Sequence, residues 1–210
     1  MSLATLQAES RVLLSGVSWP TFEALLAEND CRGTRFTYDR GYLEIMSPSS
    51  EHEWMKRLLG RMVEALTEEL GVAVKSGGST TLKDQLKDRG LEPDECYYVA
   101  NEPRMRGRSY DPAVDPPPDL AIEVDISRSS LDKLPIYADF GVPEVWLYDG
   151  SSLRVFQLQS DGGYAQQDHS PAFPFLPLRE LTRFLDRRTM SDETTWISSF
   201  RNWVRELKNT

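Results

Sequence analysis

At 210 residues the chain is long enough to bury a substantial core, and at a net charge of -9 it is too acidic to hold nucleic acid by overall charge. Its 40% hydrophobic and 27% charged residues are those of a globular protein and exclude a fibrous or disordered class. No stretch reaches the roughly 18 to 20 apolar residues that a bilayer span requires, and Glu9 precedes any apolar run, so neither membrane insertion nor secretion is expected.

No long Gly/Ser or Pro-rich linker interrupts the chain, which predicts a single domain over residues 1–210. Cys31 and Cys96 lie far apart and lack the spacing of a zinc site. Two unpaired, buried thiols in a reduced, cytoplasmic setting are expected.

Taken in order, WPTFEALLAEN (residues 19–29) carries Phe22, Leu25 and Leu26 at helical spacing, with Ser18 or Thr21 as cap and Pro20 in the first turn. TRFTYDRGYLEIMSP has two alternating runs around Asp39-Arg40-Gly41, as in a hairpin. Over residues 51–70, Met55, Leu58, Leu59, Met62, Leu66 and Leu70 recur at three- and four-residue intervals, predicting a long helix capped by Ser49 or Ser50. Short strand-like runs follow at 72–75, 79–82, 94–99 and 120–126.

Residues 129–140 read as a helix capped by Ser129 or Ser130, strained by Pro135 unless it begins late, and closed by Gly141. EVWLYD and SLRVFQLQ form a second hairpin around Gly150 and Ser151. Two helical patterns end the chain, LRELTRFLDRR and ETTWISSFRNWVREL; in the latter Trp196, Phe200, Trp203 and Leu207 share a face. That face is a core seam or, as the alternative, a dimerisation surface. Together these elements predict an α/β (α+β) fold with a central mixed sheet of at least five strands flanked by helices.

The chemically informative feature is the concentration of carboxylates inside apolar strands, because Asp and Glu are rarely buried unless paired or bound to a metal. Asp94 opens an aromatic strand in LEPDECYYVA. In PPPDLAIEVDIS, Glu123 sits between Ile122 and Val124, and alternation places Ala121 and Asp125 on its face. Two acids on a buried face repel one another without a cation, and a hard divalent ion such as Mg²⁺ is the simplest partner, with Mn²⁺ as a substitute. Lys133, ten residues after Glu123, can reach back to orient a water or neutralise a developing oxyanion.

With GYLEIMSPSSEHE, EPDECYYV and DPPPDLAIEVDISRSSLDKLPIYADFGVPEVWLYDG in this order, the chain resembles the Uma2 (DUF820) branch of the PD-(D/E)XK nucleases, and in particular its cyanobacterial-type members. The resemblance covers about residues 18–160, leaving a C-terminal helical extension at about 178–208. It implies a restriction-endonuclease-like core and a metal-dependent endonuclease acting on nucleic acid, with DNA favoured and a homodimer as the assembly. By position, Asp94 and Glu123 are the implied metal-binding acids, and Lys133 the lysine on the helix after the strand. Asp125 stands where the general E-x-K pattern has its lysine.

Glu44 and His52, from the first half of the chain, are supporting candidates. His52 faces either a metal-associated water or the scissile phosphate, or is an exposed helix-start residue. Asp119 heads the Glu123 strand on the same face and is the fallback for Asp94. His169, in a Pro-flanked loop, is structural or incidental. A nuclease fold that binds nucleic acid or protein without turnover is the alternative, with Asp125 as its sign.

Overall fold

The structure is a computed structural model that describes residues 9–29, 33–186 and 191–208. It opens with β1 (Ser10–Ser15) and α1 (Trp19–Glu28), a helix started by Pro20 and capped by the Ser18 hydroxyl, which accepts from the Thr21 amide. β2 (Arg35–Asp39) and β3 (Tyr42–Ser47) pair antiparallel around Arg40 and Gly41, both left-handed at φ 48° and 88°. Two such residues match the twist of the flanking strands, which is why Gly41 sits there.

The long helix α2 (Ser50–Leu70) begins at the Ser49 cap, whose hydroxyl accepts from the His52 amide, and ends at left-handed Gly71. Next come β4 (Lys75–Ser76), β5 (Leu82–Asp84), β6 (Arg89–Leu91), β7 (Glu95–Tyr98), α3 (Glu102–Met105) and β8 (Leu120–Val124). α4 (Leu134–Phe140), β9 (Glu144–Tyr148), β10 (Leu153–Leu158), β11 (Tyr164–Gln167), α5 (Leu178–Phe184) and α6 (Glu193–Lys208) complete the order.

The expected mixed sheet runs β11-β10-β9-β8-β7-β4, with β8 and β9 parallel and its other pairs antiparallel. The parallel pair follows from the crossover through α4. A second sheet, β1-β3-β2-β6-β5, is antiparallel throughout and was not expected from the sequence.

Strand alternation divides the mixed sheet into two working faces. Ile122, Val124, Trp146 and Tyr148 point into the main core, against Leu58, Leu59 and Met62 of α2 and Phe200 of α6. Each fully buried Leu, Met or Phe there contributes about 1.5–3 kcal/mol relative to exposure. Trp196 and Phe200 are buried in this core and Trp203 packs against it, so the aromatic face of α6 is a seam with α2 rather than a free dimerisation surface. The opposite face, with Ala121 and Val145, packs against Ile136 and Tyr137 of α4 and against Leu82 and Leu91 of the second sheet. Glu123 lies on that opposite face.

The segment read as a helix over 129–140 is helical only over Leu134–Phe140. Pro135 falls in the first turn, where its missing N–H costs nothing, and Ser129 and Ser130 bond Glu44 instead of capping the helix. Lys133 is therefore the residue before the helix rather than a residue within it. Cys96 is buried, while Cys31, and Arg187 and Arg188 of the LRELTRFLDRR pattern, lie outside the described residues. No helix among the described residues is long and apolar enough to cross a membrane.

Candidate active site

Asp94 immediately precedes β7, and Glu123 is the fourth residue of β8. The antiparallel register aligns Glu95 with Ile122, and continuing it by one residue sets Asp94 opposite Glu123. Like charges directly opposed across two strands destabilise the pair, so the surroundings must supply positive charge.

They do so from two sides. Lys133 Nζ donates to Glu123 Oε2 at 2.7 Å, and the Tyr137 hydroxyl of α4 donates to Glu123 Oε1. On the other acid, Asp94 Oδ2 accepts from the Val124 amide at 2.8 Å, and Oδ1 lies 2.9 Å from His52 Nε2. The second ring nitrogen, Nδ1, lies 2.6 Å from Glu9 Oε1. Ionised carboxylates only accept, so a ring between two of them carries both N–H groups and is an imidazolium.

The electrostatics agree. Burial opposes the charge on His52, but its hydrogen bonds to Asp94 and Glu9 outweigh this and lift it from 6.5 to about 9. Burial likewise opposes the charge on Asp94, yet His52, Lys133 and the Val124 amide hold it below the ordinary aspartate value. Glu9 drops from 4.5 to about 2 against its own burial, through His52, Ser127 and Arg11. Glu123 moves the other way, because burial and the neighbouring Asp94 charge raise it despite Lys133. Lys133 stays cationic: Glu123 and Asp94 more than offset its burial. With a full ammonium at 2.7 Å, the Glu123–Lys133 contact is an ion pair.

Arg11 of β1 is the second organising cation. It pairs with Glu9 at 3.1 Å, Glu44 at 2.8 Å and Asp125 at 3.0 Å, and its Nε donates to Ser127 Oγ at 3.1 Å. Glu44 also accepts from Ser129 Oγ at 2.8 Å and from the Ser130 amide at 2.6 Å. The second sheet thus ties down the loop that leads to Lys133. Five carboxylates (Glu9, Glu44, Asp94, Glu123, Asp125) are set against four cations (Arg11, Arg35, His52, Lys133), Arg35 Nε lying 3.9 Å from Asp94.

Among the sequence candidates, Asp94, Glu123, Lys133 and His52 are brought together. His52 is fully buried rather than an exposed helix start, and both of its nitrogens are committed to Glu9 and Asp94. Asp125 lies just beyond β8 and turns to Arg11, not to Glu123. Asp119 accepts from the amides of Val99 and Asn101 and from Asn101 Nδ2, at 2.7–2.8 Å, which fixes the turn after β7 at the far end of the strand. His169 makes an isolated bridge to Pro177. Glu9, Arg11, Arg35 and Tyr137 were missed; an acid and an arginine heading the apolar run ESRVLLS were the available signal for the first two.

Glu123, Lys133 and Tyr137 form one wall of an open cleft of about 580 Å³. A cleft between α5 and α6, about 470 Å³, shares no residue with this cluster. Among the described residues, no group of three or more His, Cys, Asp or Glu side chains converges as a ready-made metal cage.

The chain matches the Uma2 family model, described as "Putative restriction endonuclease", over residues 19–188. No curated protein matches. Among solved structures, the chain is similar in fold to a crystal structure titled as "a putative nuclease belonging to DUF820" from Anabaena variabilis. The two share 15% identity at a TM-score of 0.52, over 78% of this chain and 97% of that one. At that identity the likeness establishes the restriction-endonuclease-like fold, and the family match spans most of the chain, including Asp94, Glu123 and Lys133. The chain belongs to the Uma2 family, and its fold is restriction-endonuclease-like.

Proposed function

We propose that this protein is a Mg²⁺-dependent endonuclease that hydrolyses phosphodiester bonds in nucleic acid, DNA above all. The observation that carries the reading is the pair of buried acids on adjacent strands, Asp94 and Glu123, with an ammonium on Glu123 at the wall of an open cleft.

The donor chemistry fits a hard cation, since both acids offer oxygen alone and Mg²⁺ takes few protein carboxylates while keeping several waters. Their oxygens already accept protein hydrogen bonds, but each carboxylate oxygen has a second lone pair that a cation can share. Asp94 and Glu123 would hold the ion, which when bound polarises a phosphoryl oxygen and lowers the pKa of water. Mn²⁺ accepts the same donors.

The chain's own residues do the rest. His52 and the Val124 amide fix Asp94 and keep it ionised. Lys133, held charged, donates to a non-bridging phosphate oxygen as negative charge builds there. Tyr137 and Lys133 together orient Glu123. The oxygen of water bonds to phosphorus as the bond to the leaving sugar oxygen breaks; the water gives up a proton and the leaving oxygen takes one.

Asp125 supports a second reading, a module that binds without turnover, because its carboxylate is spent on Arg11 where the general pattern has a lysine. The test is cleavage of single-stranded DNA, plasmid and linear duplex DNA in Mg²⁺, Mn²⁺ or EDTA by the wild type, Glu123→Gln and Lys133→Met. The expected result is cleavage by the wild type in metal, lost in EDTA and reduced at least about a hundredfold in each variant. A folded wild type that cleaves nothing in either metal transfers the assignment to the binding module.

A further inference from the structure

The register of the mixed sheet aligns side chains in rungs across three strands. Glu123 is paired with Leu147, and Leu147 with Arg154; one rung away, Ala121 is paired with Val145, and Val145 with Phe156. All six therefore share a face, and at about 4.8 Å per strand the root of Arg154 stands about 10 Å from that of Glu123. Glu123, Leu147, Arg154 and Phe156 all line the same cleft.

Two arginines of this cleft, Arg154 and Arg128, make no close ion pair among the described residues. The Arg154 guanidinium lies over the Phe156 ring, 5.7 Å from its centroid, and its Nε is buried with no acceptor among the described residues. Its ion pair with Asp149 is a loose 3.9 Å. Arg128 is exposed at the rim and left-handed at φ 64°, a conformation that glycine takes freely and an arginine adopts at a cost. Such strain concentrates where the side chain is used. The cleft's negative groups, in contrast, are engaged: Glu123 with Lys133, Asp125 with Arg11, and Asp132 Oδ1 with the Leu134 amide.

A flat cation backed by an aromatic ring, apolar side chains beside it and a free arginine at the rim are the parts that recognise a base and its phosphate. We infer that this cleft takes one unpaired nucleotide of a single strand, its base stacked on the Arg154–Phe156 platform and its phosphate on Arg128. The volume suits one such unit, and a base within a duplex cannot enter without leaving its stack. The inference names the substrate form for the nuclease reading above and rests on it for turnover, but not for binding.

The test is fluorescence anisotropy with the full chain in EDTA, so that nothing is cut. The probes are a labelled oligothymidylate and an oligouridylate of about 12 nucleotides and a DNA duplex of the same length. The expected result is at least about tenfold tighter binding of a single strand than of the duplex, weakened about tenfold by Arg154→Ala and by Arg128→Gly. Arg128→Gly is expected to melt no lower than the wild type, because glycine relieves the left-handed backbone, so its loss of binding is not a loss of folding. Arg104→Ala, which removes one exposed positive charge from α3, leaves binding unchanged. Equal or tighter duplex binding, no binding of any strand, or wild-type affinity in both cleft variants overturns the inference. Intact, variant-sensitive binding of a single strand without cleavage in metal overturns the nuclease reading alone.

Discussion

Replacing His52 by Gln should erase a specific pH dependence of stability. In the folded chain His52 lies near 9, against 6.5 for a free histidine, so between those values the native state holds a proton that the unfolded chain releases. A raised pKa stabilises fully below about 6.5, and that contribution is lost as pH climbs toward 9. The shift corresponds to about 3 kcal/mol at about 1.4 kcal/mol per unit, and counting the Glu9 and Asp94 shifts as well would count the same contacts twice. Both acids are depressed, so their contributions are present above their unfolded values, are lost only as pH falls through the folded ones, and add no slope in this window. The Cys96 thiol, pushed by burial from 9.0 to about 12, adds loss only above 9.

Urea unfolding in EDTA at pH 6, 7.5 and 9 measures the effect. With a slope of roughly 2–3 kcal/mol per molar, the wild-type midpoint should fall by about 1–1.5 M from pH 6 to 9. His52→Gln should start lower at pH 6, because Glu9 and Asp94 lose their shared cation, and should then fall clearly less than the wild type, keeping only the loss that raised acids such as Glu123 contribute. A flat wild type, or a variant that keeps the wild-type slope, refutes the imidazolium bridge.

Arg11→Met leaves Glu9, Glu44 and Asp125 without a common cation, which should cost about 3–5 kcal/mol and lower the melting temperature by roughly 10 °C in calorimetry. Asp119→Ala should cost about 1–3 kcal/mol by stranding the amides of Val99 and Asn101, yet leave divalent-ion affinity unchanged; lost affinity would restore Asp119 as a ligand. Gly90→Ala brings a Cβ to 2.8 Å from the Phe22 ring and should lower stability by about 1–3 kcal/mol, read as a shifted urea midpoint.

The sequence disclosed most where one periodicity dominated. Helix α2, the β2–β3 and β9–β10 hairpins and the apolar β8 strand each follow from spacing and turn residues alone. Glu123 of β8 and the neighbouring Asp94 were visible because a carboxylate inside an apolar strand is rare. Short strands such as β5, β6 and β11 carry too few residues for alternation to register. The second sheet was hidden for a further reason: it joins β1 to β3 and β2 to β6 across long separations in the chain. For that same reason the acid and arginine heading ESRVLLS could not be tied to the site, since the partners of Glu9 and Arg11 lie at His52, Glu44 and Asp125. His52 was noticed for its type, but its role depends on Glu9, which only the fold delivers.

The most direct test of the central claim is titration calorimetry with Mg²⁺ and Mn²⁺ on the wild type, Asp94→Asn and Glu123→Gln. The account expects the wild type to bind and both folded variants to lose that binding. Unchanged affinity in both variants, or no binding by the wild type at millimolar ion, would contradict it.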